Sequence, residues 1–166
     1  MRLVWVLAFA GMTTAFLLSA CGFQLRGEPQ TGIKALHVSA AVGSGVYGDI
    51  RRALAGTSTR VVASPSEAQA HLRILAEGRE KTVHTITGTG RVYEFRLLLV
   101  VRYELVVPGR ELPLIASTEA EARRIITYSE TAPIAKEAEE QLLYKDMQVE
   151  LADRILRQIA IAQRDL

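Results

Sequence analysis

Cys21 is the one cysteine in a chain of 166 residues, and it stands where an apolar run ends and a polar, glycine-containing segment begins. A lone thiol forms neither an internal disulfide nor a multi-cysteine zinc site, so its chemistry is that of a single nucleophile. His37, His71 and His84 lie in strand-like sequence with none of the spacings that hold a metal, and ordinary hydrogen-bonded or solvated imidazoles are expected. Glu77 and Glu80 could serve as a carboxylate pair, but two surface glutamates on a strand are the simpler reading. Thr87-Gly88-Thr89-Gly90 has the small residues that could cradle a phosphate and, equally, the composition of a hairpin turn, which is the expectation here. There is no G-x-S-x-G elbow, H-E-x-x-H pair or Walker loop. The expectation is a protein that is not an enzyme and carries no metal.

What surrounds Cys21 gives its thiol a task. Arg2 is the only charged residue among the first twenty, and Leu3 to Ala20 is apolar apart from Gly11, Thr13, Thr14 and Ser19. That stretch is at the short edge for crossing a bilayer, and it ends in small residues, the layout of an export signal. Leu18-Ser19-Ala20-Cys21 resembles the bacterial lipobox, in which the thiol is alkylated by diacylglycerol and the signal is cut just before it. Residues 1–20 are therefore expected to be a lipoprotein signal peptide, and Cys21 to carry S-diacylglycerol and an N-palmitoyl chain, with no other cofactor. Several acyl chains, at about 0.8 kcal/mol per buried CH₂, anchor a protein permanently without a spanning helix. Gly22 stands where an Asp would mark inner-membrane retention, so the expected location is the outer membrane, facing the periplasm.

The rest of the chain must fold around whatever this anchor delivers. Apolar residues make up 49% and charged residues 23%, which excludes a disordered chain. Twenty Lys and Arg face 18 Asp and Glu, a formal net charge of +2, too even for a nucleic-acid binder. Residues 21–32, with Pro29 and several glycines, read as a tether, and 33–166 as a single domain. Ile33 to Ser39 reads as a strand, and Val46, Tyr47, Ile50 and Leu54 recur at helical spacing. A second strand starts near Leu72 and runs into a polar arm as far as Thr87.

From Tyr93 to Val107 the residues alternate strictly, with Tyr93, Phe95, Leu97, Leu99, Val101, Tyr103 and Leu105 on one face and Glu94, Arg96, Arg102 and Glu104 among Leu98, Val100 and Val106 on the other. Val107-Pro108-Gly109-Arg110 supplies a turn into a partner strand. A tight turn there would set Tyr103 opposite Leu114, Arg96 opposite Glu121 and Glu94 opposite Arg123. A final helix is expected from about Pro133 to Ala162, capped by Thr131, with Leu143, Met147, Leu151, Ile155 and Ile159 spaced by four. The architecture these elements imply is α+β: a long, antiparallel-rich mixed sheet of about four strands with two helices packed on one face.

Cys21-Gly22-Phe23-Gln24-Leu25-Arg26-Gly27, the strand from Tyr93-Glu94-Phe95 to Val106-Val107-Pro108-Gly109-Arg110-Glu111, and Pro133-Ile134-Ala135-Lys136-Glu137 stand in the order and spacing of one family. In these three motifs the chain resembles the LptE lipoproteins of lipopolysaccharide assembly. The resemblance implies a plug within the β-barrel of an LptD-like protein, delivering lipopolysaccharide to the outer leaflet by binding rather than bond chemistry. Lys136 matches a basic family position and is implied to bind lipopolysaccharide. Arg91, directly after the departing Thr87–Gly90 loop, is the nearest equivalent of a second. Arg110, Arg96 and Arg102 are the implied partner-binding residues, with turn formation at Arg110, a solvated sheet face for the other two, and pairing of Lys136 with Glu140 as competing roles. A generic outer-membrane lipoprotein with a different envelope partner is the alternative.

Overall fold

The long alternating segment is a strand, and everything else is arranged on it. The computed structural model describes residues 31–165. Its strands are β1 (Ala35–Ala40), β2 (Arg60–Val62), β3 (Ala70–Ile86), β4 (Val92–Val106) and β5 (Ile115–Thr127), and its helices are α1 (Gly45–Leu54) and α2 (Pro133–Ala162). The sheet order is β2-β1-β3-β4-β5, parallel between β2, β1 and β3 and antiparallel between β3, β4 and β5. The fold is therefore α+β and mixed, with five strands instead of four. The unforeseen strand, β2, is three residues long, too short to show a periodicity.

Both helices cover one face. Val46, Ile50 and Leu54 from α1, and Tyr144, Met147, Leu151, Ile155, Leu156 and Ile159 from α2, join Leu36, Leu72 and the inward row of β4 in one core. α1 starts at Ser44, whose hydroxyl accepts from the Tyr47 amide at 3.2 Å. α2 spans the expected residues, but its N-cap is Ala132, not Thr131, whose hydroxyl is turned to that of Ser129 at 3.0 Å. Pro133 occupies the first turn, where a missing N–H costs nothing. Residues 1–30, with the signal and Cys21, and Leu166 lie outside the described residues. Thr31 is already fully buried, bonded to the Thr59 hydroxyl at 2.6 Å.

The β4–β5 register differs from the expected one by four residues. Arg96 faces Ile125 rather than Glu121, Glu94 faces Thr127 rather than Arg123, and Tyr103 faces Thr118 rather than Leu114. Two local features produce the shift. The connection does turn at Val107, with the Arg110 amide donating to the Val107 carbonyl at 3.2 Å and Gly109 at a φ of 84°, but pairing resumes only at the Leu114 amide, bonded to Leu105. Glu111-Leu112-Pro113 thus lengthens the loop, and Pro113 has no N–H to donate to the ladder. A bulge then sets Ala116 and Ser117 against Glu104, between the Leu105–Ile115 and Tyr103–Thr118 pairs. The loop displaces the register by an odd number of residues and the bulge by one more. Ala120, Ala122 and Ile126 therefore still face the core.

Candidate functional site

Three elements meet at one end of the sheet: the β3–β4 hairpin tip, the end of β5 and the start of α2. At the tip, the Thr87 amide donates to the Arg91 carbonyl at 2.7 Å, the Gly90 amide to the Thr87 carbonyl at 2.9 Å, and Gly90 adopts a φ of 82°. The Thr-Gly-Thr-Gly run is thus a turn, with those two amides used within the hairpin. Arg91 reaches across to Glu130 at 3.3 Å, both side chains well exposed. Lys136 returns from α2 to the sheet, donating to the Thr127 hydroxyl at 2.9 Å and to Glu139 at 2.8 Å. Arg91 and Lys136, 45 positions apart in sequence, thus bind residues only three positions apart on the β5–α2 junction. Lys136 pairs with Glu139, not Glu140.

Glu140 is taken by a lysine the sequence reading passed over. Lys81, from the polar arm of β3, lies 2.5 Å from Glu140 and 4.5 Å above the centre of the Phe95 ring. Its partner is 59 residues away, which leaves no local pattern to find. Lys81 and Lys136 line one cleft of about 130 Å³, together with Phe95, Tyr128, Pro133 and Glu140. Phe95 and Tyr128 meet edge to face with centroids 5.6 Å apart. Just behind the cleft, the Tyr144 hydroxyl donates to the Glu80 carbonyl at 2.9 Å, and the Arg79 guanidinium lies 4.9 Å over its ring. Burial, helped by Glu140, pushes the Tyr144 phenol above its ordinary pKa, partly offset by Arg79.

The other sequence-derived candidates lie elsewhere. Arg110 belongs to the β4–β5 connection, at the opposite end of the sheet from Arg91 and Lys136. Arg96 and Arg102 point away from the helices, as their alternation requires. Arg96 donates to His84 at 2.8 Å, and Arg102 grips Glu119 with Nε at 3.0 Å and Nη2 at 2.8 Å. Between them Leu98 and Val100 are half-buried. No helix lies on this face among the described residues. Glu77 and Glu80 do not act as a pair: Glu77 accepts from the Ser44 hydroxyl at 2.7 Å, the Val46 amide and Gln148, and so fastens α1 to β3 and α2. His37 and His71 stack edge to face and bond to the carbonyls of Val62 and Pro65. Among the described residues, no three His, Cys, Asp or Glu side chains could hold a metal ion together.

The geometry can be set beside known proteins. Residues 30–159 match the model of the family described as LptE, lipopolysaccharide-assembly. The chain is 24% identical over 159 residues to the LPS-assembly lipoprotein LptE of Pectobacterium atrosepticum, covering 93% of this chain and 82% of that one. It is 26% identical to the protein of the same name from Yersinia enterocolitica, covering 96% and 75%. Among solved structures it is similar to lipoprotein B of Nitrosomonas europaea, with a TM-score of 0.71 and 31% identity over 84% of this chain and 90% of that one. It is also similar to rare lipoprotein B of Shewanella oneidensis, with a TM-score of 0.68 and 25% identity over 79% and 97%.

Proposed function

This chain belongs to the LptE family of lipopolysaccharide assembly, and from that premise we propose that it is an outer-membrane lipoprotein that binds lipopolysaccharide at its Arg91–Lys136 end while seated in an LptD-like β-barrel. Cys21 is the anchor, carrying S-diacylglycerol and N-palmitoyl chains on the periplasmic side. The uncovered sheet face, with Arg96 and Arg102 among half-buried aliphatics, is the surface a barrel wall would enclose, and Arg110 serves the same contact from the far end. The work is binding and handing on, with no bond made or broken.

The observation that carries the binding assignment is the convergence of Arg91 and Lys136 on the Thr127–Glu130 junction. Lipopolysaccharide presents phosphates and carboxylates, which accept charge-assisted hydrogen bonds from both side chains. Their present partners are glutamates near solvent. Such exposed pairs contribute about 0–1 kcal/mol, so a phosphate replaces the carboxylate at little cost. Lys136 also sits in the first turn of α2, where the helix dipole disfavours a cation. An anion bound beside it relieves that penalty.

The test is binding of labelled lipopolysaccharide at low and high salt. Arg91→Asp with Lys136→Asp should weaken it more than either change alone. The salt dependence should flatten, because these charges are screened over about 8 Å at physiological ionic strength. Capture of a large β-barrel by the variant should persist. Unchanged affinity and unchanged salt dependence would move the site to the Arg96–Arg102 face, and failure to capture any barrel would favour a different envelope partner. Mass spectrometry of the mature protein settles the anchor, since an unmodified thiol at Cys21 rules it out.

A further inference from the structure

The inward row of β4 is longer than the helix that covers it. Leu97, Leu99, Val101 and Leu105 are fully buried, Phe95 is partly covered, and Tyr93 is 53% exposed. The cover ends because Pro133 starts α2 abreast of Phe95 and Tyr128, with which it lines the same cleft. Apolar side chains continue past that point on the neighbouring strands. Val83, opposite Phe95 on β3, is 52% exposed, and Tyr128, whose amide donates to the Tyr93 carbonyl at 2.8 Å, is 40% exposed. Isolated apolar residues on a surface are unremarkable, but a contiguous set rimmed by charge marks a binding surface.

The rim is basic on several sides. Lys81 and Lys136 stand along the cleft, and Arg91 closes the hairpin tip. Each is held on a glutamate and is ready to exchange it. A protein partner would supply carboxylates to all three cations and apolar side chains to the patch. An amphiphile whose phosphates sit directly beside its fatty acyl chains matches the same layout in one molecule, within the few ångströms that separate Lys81 from the Phe95 ring.

We infer that the uncovered Val83–Tyr93–Tyr128 patch receives the acyl chains of the lipid while Lys81, Lys136 and Arg91 hold its phosphates, so that the end recognised is the phosphorylated, acylated one and not the sugar chain. The inference rests on the lipopolysaccharide reading above and adds to it the part of the molecule that is gripped. It also assigns Lys81 as a third phosphate ligand.

The experiment uses the full-length protein in a single nonionic detergent at fixed concentration. Three probes are compared: intact lipopolysaccharide, the same material with its ester-linked acyl chains removed, and the same material dephosphorylated. Val83→Ser with Tyr93→Ser alters two exposed positions, and circular dichroism with a thermal melt confirms the fold. Intact lipopolysaccharide should bind this variant roughly tenfold more weakly than the parent, because two large apolar contacts are lost. The probe without its ester-linked chains should separate parent from variant less than intact material does, and should bind the parent more weakly than intact material does. Lys81→Gln should weaken the two phosphorylated probes and leave the dephosphorylated one unchanged.

The acyl assignment falls if the double serine variant binds intact lipopolysaccharide as the parent does, or if the parent binds the probe without ester-linked chains as tightly as intact material. If the serine variant loses its barrel partner instead, with lipid affinity intact, the patch is a protein contact and the inference is overturned. In each of these cases the Arg91–Lys136 charge reversal still weakens binding and the broader reading stands. If charge reversal also has no effect, that reading fails independently.

Discussion

The two ends of the sheet are built from the same strands and have opposite characters. At the end where β2 pairs with β1 and β1 with β3, five strands lie under α1 and α2, and Leu36, Leu72, Leu105 and Ile50 are all sealed from water. β1 accompanies β3 only from Ala70 to Ile74, and beyond that three strands run on towards the hairpin tip. There the same inward row carries Tyr93, Val83 and Tyr128 into solvent. The covered end is fastened by a carboxylate that has left solvent: Asp49, 3% exposed at its side chain, holds Lys145 at 2.9 Å and also Arg52. The open end is fastened by exposed pairs such as Arg91–Glu130. The difference separates a region that makes the domain stable from one that is free to bind.

Substitution should expose that division most strongly in the core. Leu72→Ala at the covered end is expected to cost about 2–5 kcal/mol, measured by chemical denaturation, because a fully enclosed side chain leaves a cavity. Val83→Ala at the open end should shift stability by less than about 0.5 kcal/mol. Equal effects would mean that the patch is covered in solution. The polar fastenings should follow the same order. Asp49→Ala removes charge-assisted bonds between α1 and α2 and should cost roughly 1.5–3 kcal/mol. Glu130→Ala, at the open end, should cost no more than about 1 kcal/mol.

Sequence periodicity was informative where one face is buried and silent where distance decides. Alternation from Tyr93 to Val107 specified β4 and its inward face, and the spacing by four specified α2. Neither says where the cover stops, because Tyr93 and Leu99 look alike in a pattern and differ only in whether α2 lies above them. Register escaped for a related reason. The turn residues Val107 to Arg110 were recognisable, but the extra loop and the bulge at Ala116–Ser117 compensate in parity, so the apolar face fits either register. At the proposed site, Lys136 and Arg91 came from motif positions. Lys81 did not, since its role depends on Glu140 and Phe95, which only the fold brings near.

Acid should loosen the seam between the two regions. Glu150 of α2 holds Arg124 of β5 at 2.6 Å, which joins the two elements, and Arg154 of its own helix at 2.7 Å. The hydrogen bond from Arg124, with the charges of Arg124 and Arg154, holds its carboxyl below the ordinary value of 4.5 against the opposing effect of burial. A carboxyl whose folded pKa is depressed adds stability above its unfolded pKa and loses it as pH falls through the folded one. Stability should therefore be flat with respect to Glu150 from neutral pH to about 5 and decline below it. Glu150→Gln should be less stable than the parent at pH 7, and the gap should narrow towards pH 3. A gap that stays constant with pH would show that the carboxylate charge plays no part in the seam.

The smallest expected effect tests the register on which the whole comparison is drawn. Arg102 lies opposite Glu119 on the outward face and grips it with two nitrogens. In the register that a tight turn would impose, Arg96 would instead meet Glu121, which in the structure faces Val100 and is held by Arg123 at 2.5 Å. Both candidate pairs are exposed, so a double-mutant cycle measures coupling with little disturbance to the core. Arg102→Ala with Glu119→Ala should show about 0.2–1 kcal/mol of coupling, the range for cross-strand charges in solvent. Arg96→Ala with Glu121→Ala should show none beyond experimental error. The reverse result would slide β5 by four residues along β4 and move Tyr128 away from Tyr93. It would also take Thr127 and Glu130 from beneath Lys136 and Arg91, so the open end, with its patch and its cations, exists only in the register where Arg102 meets Glu119.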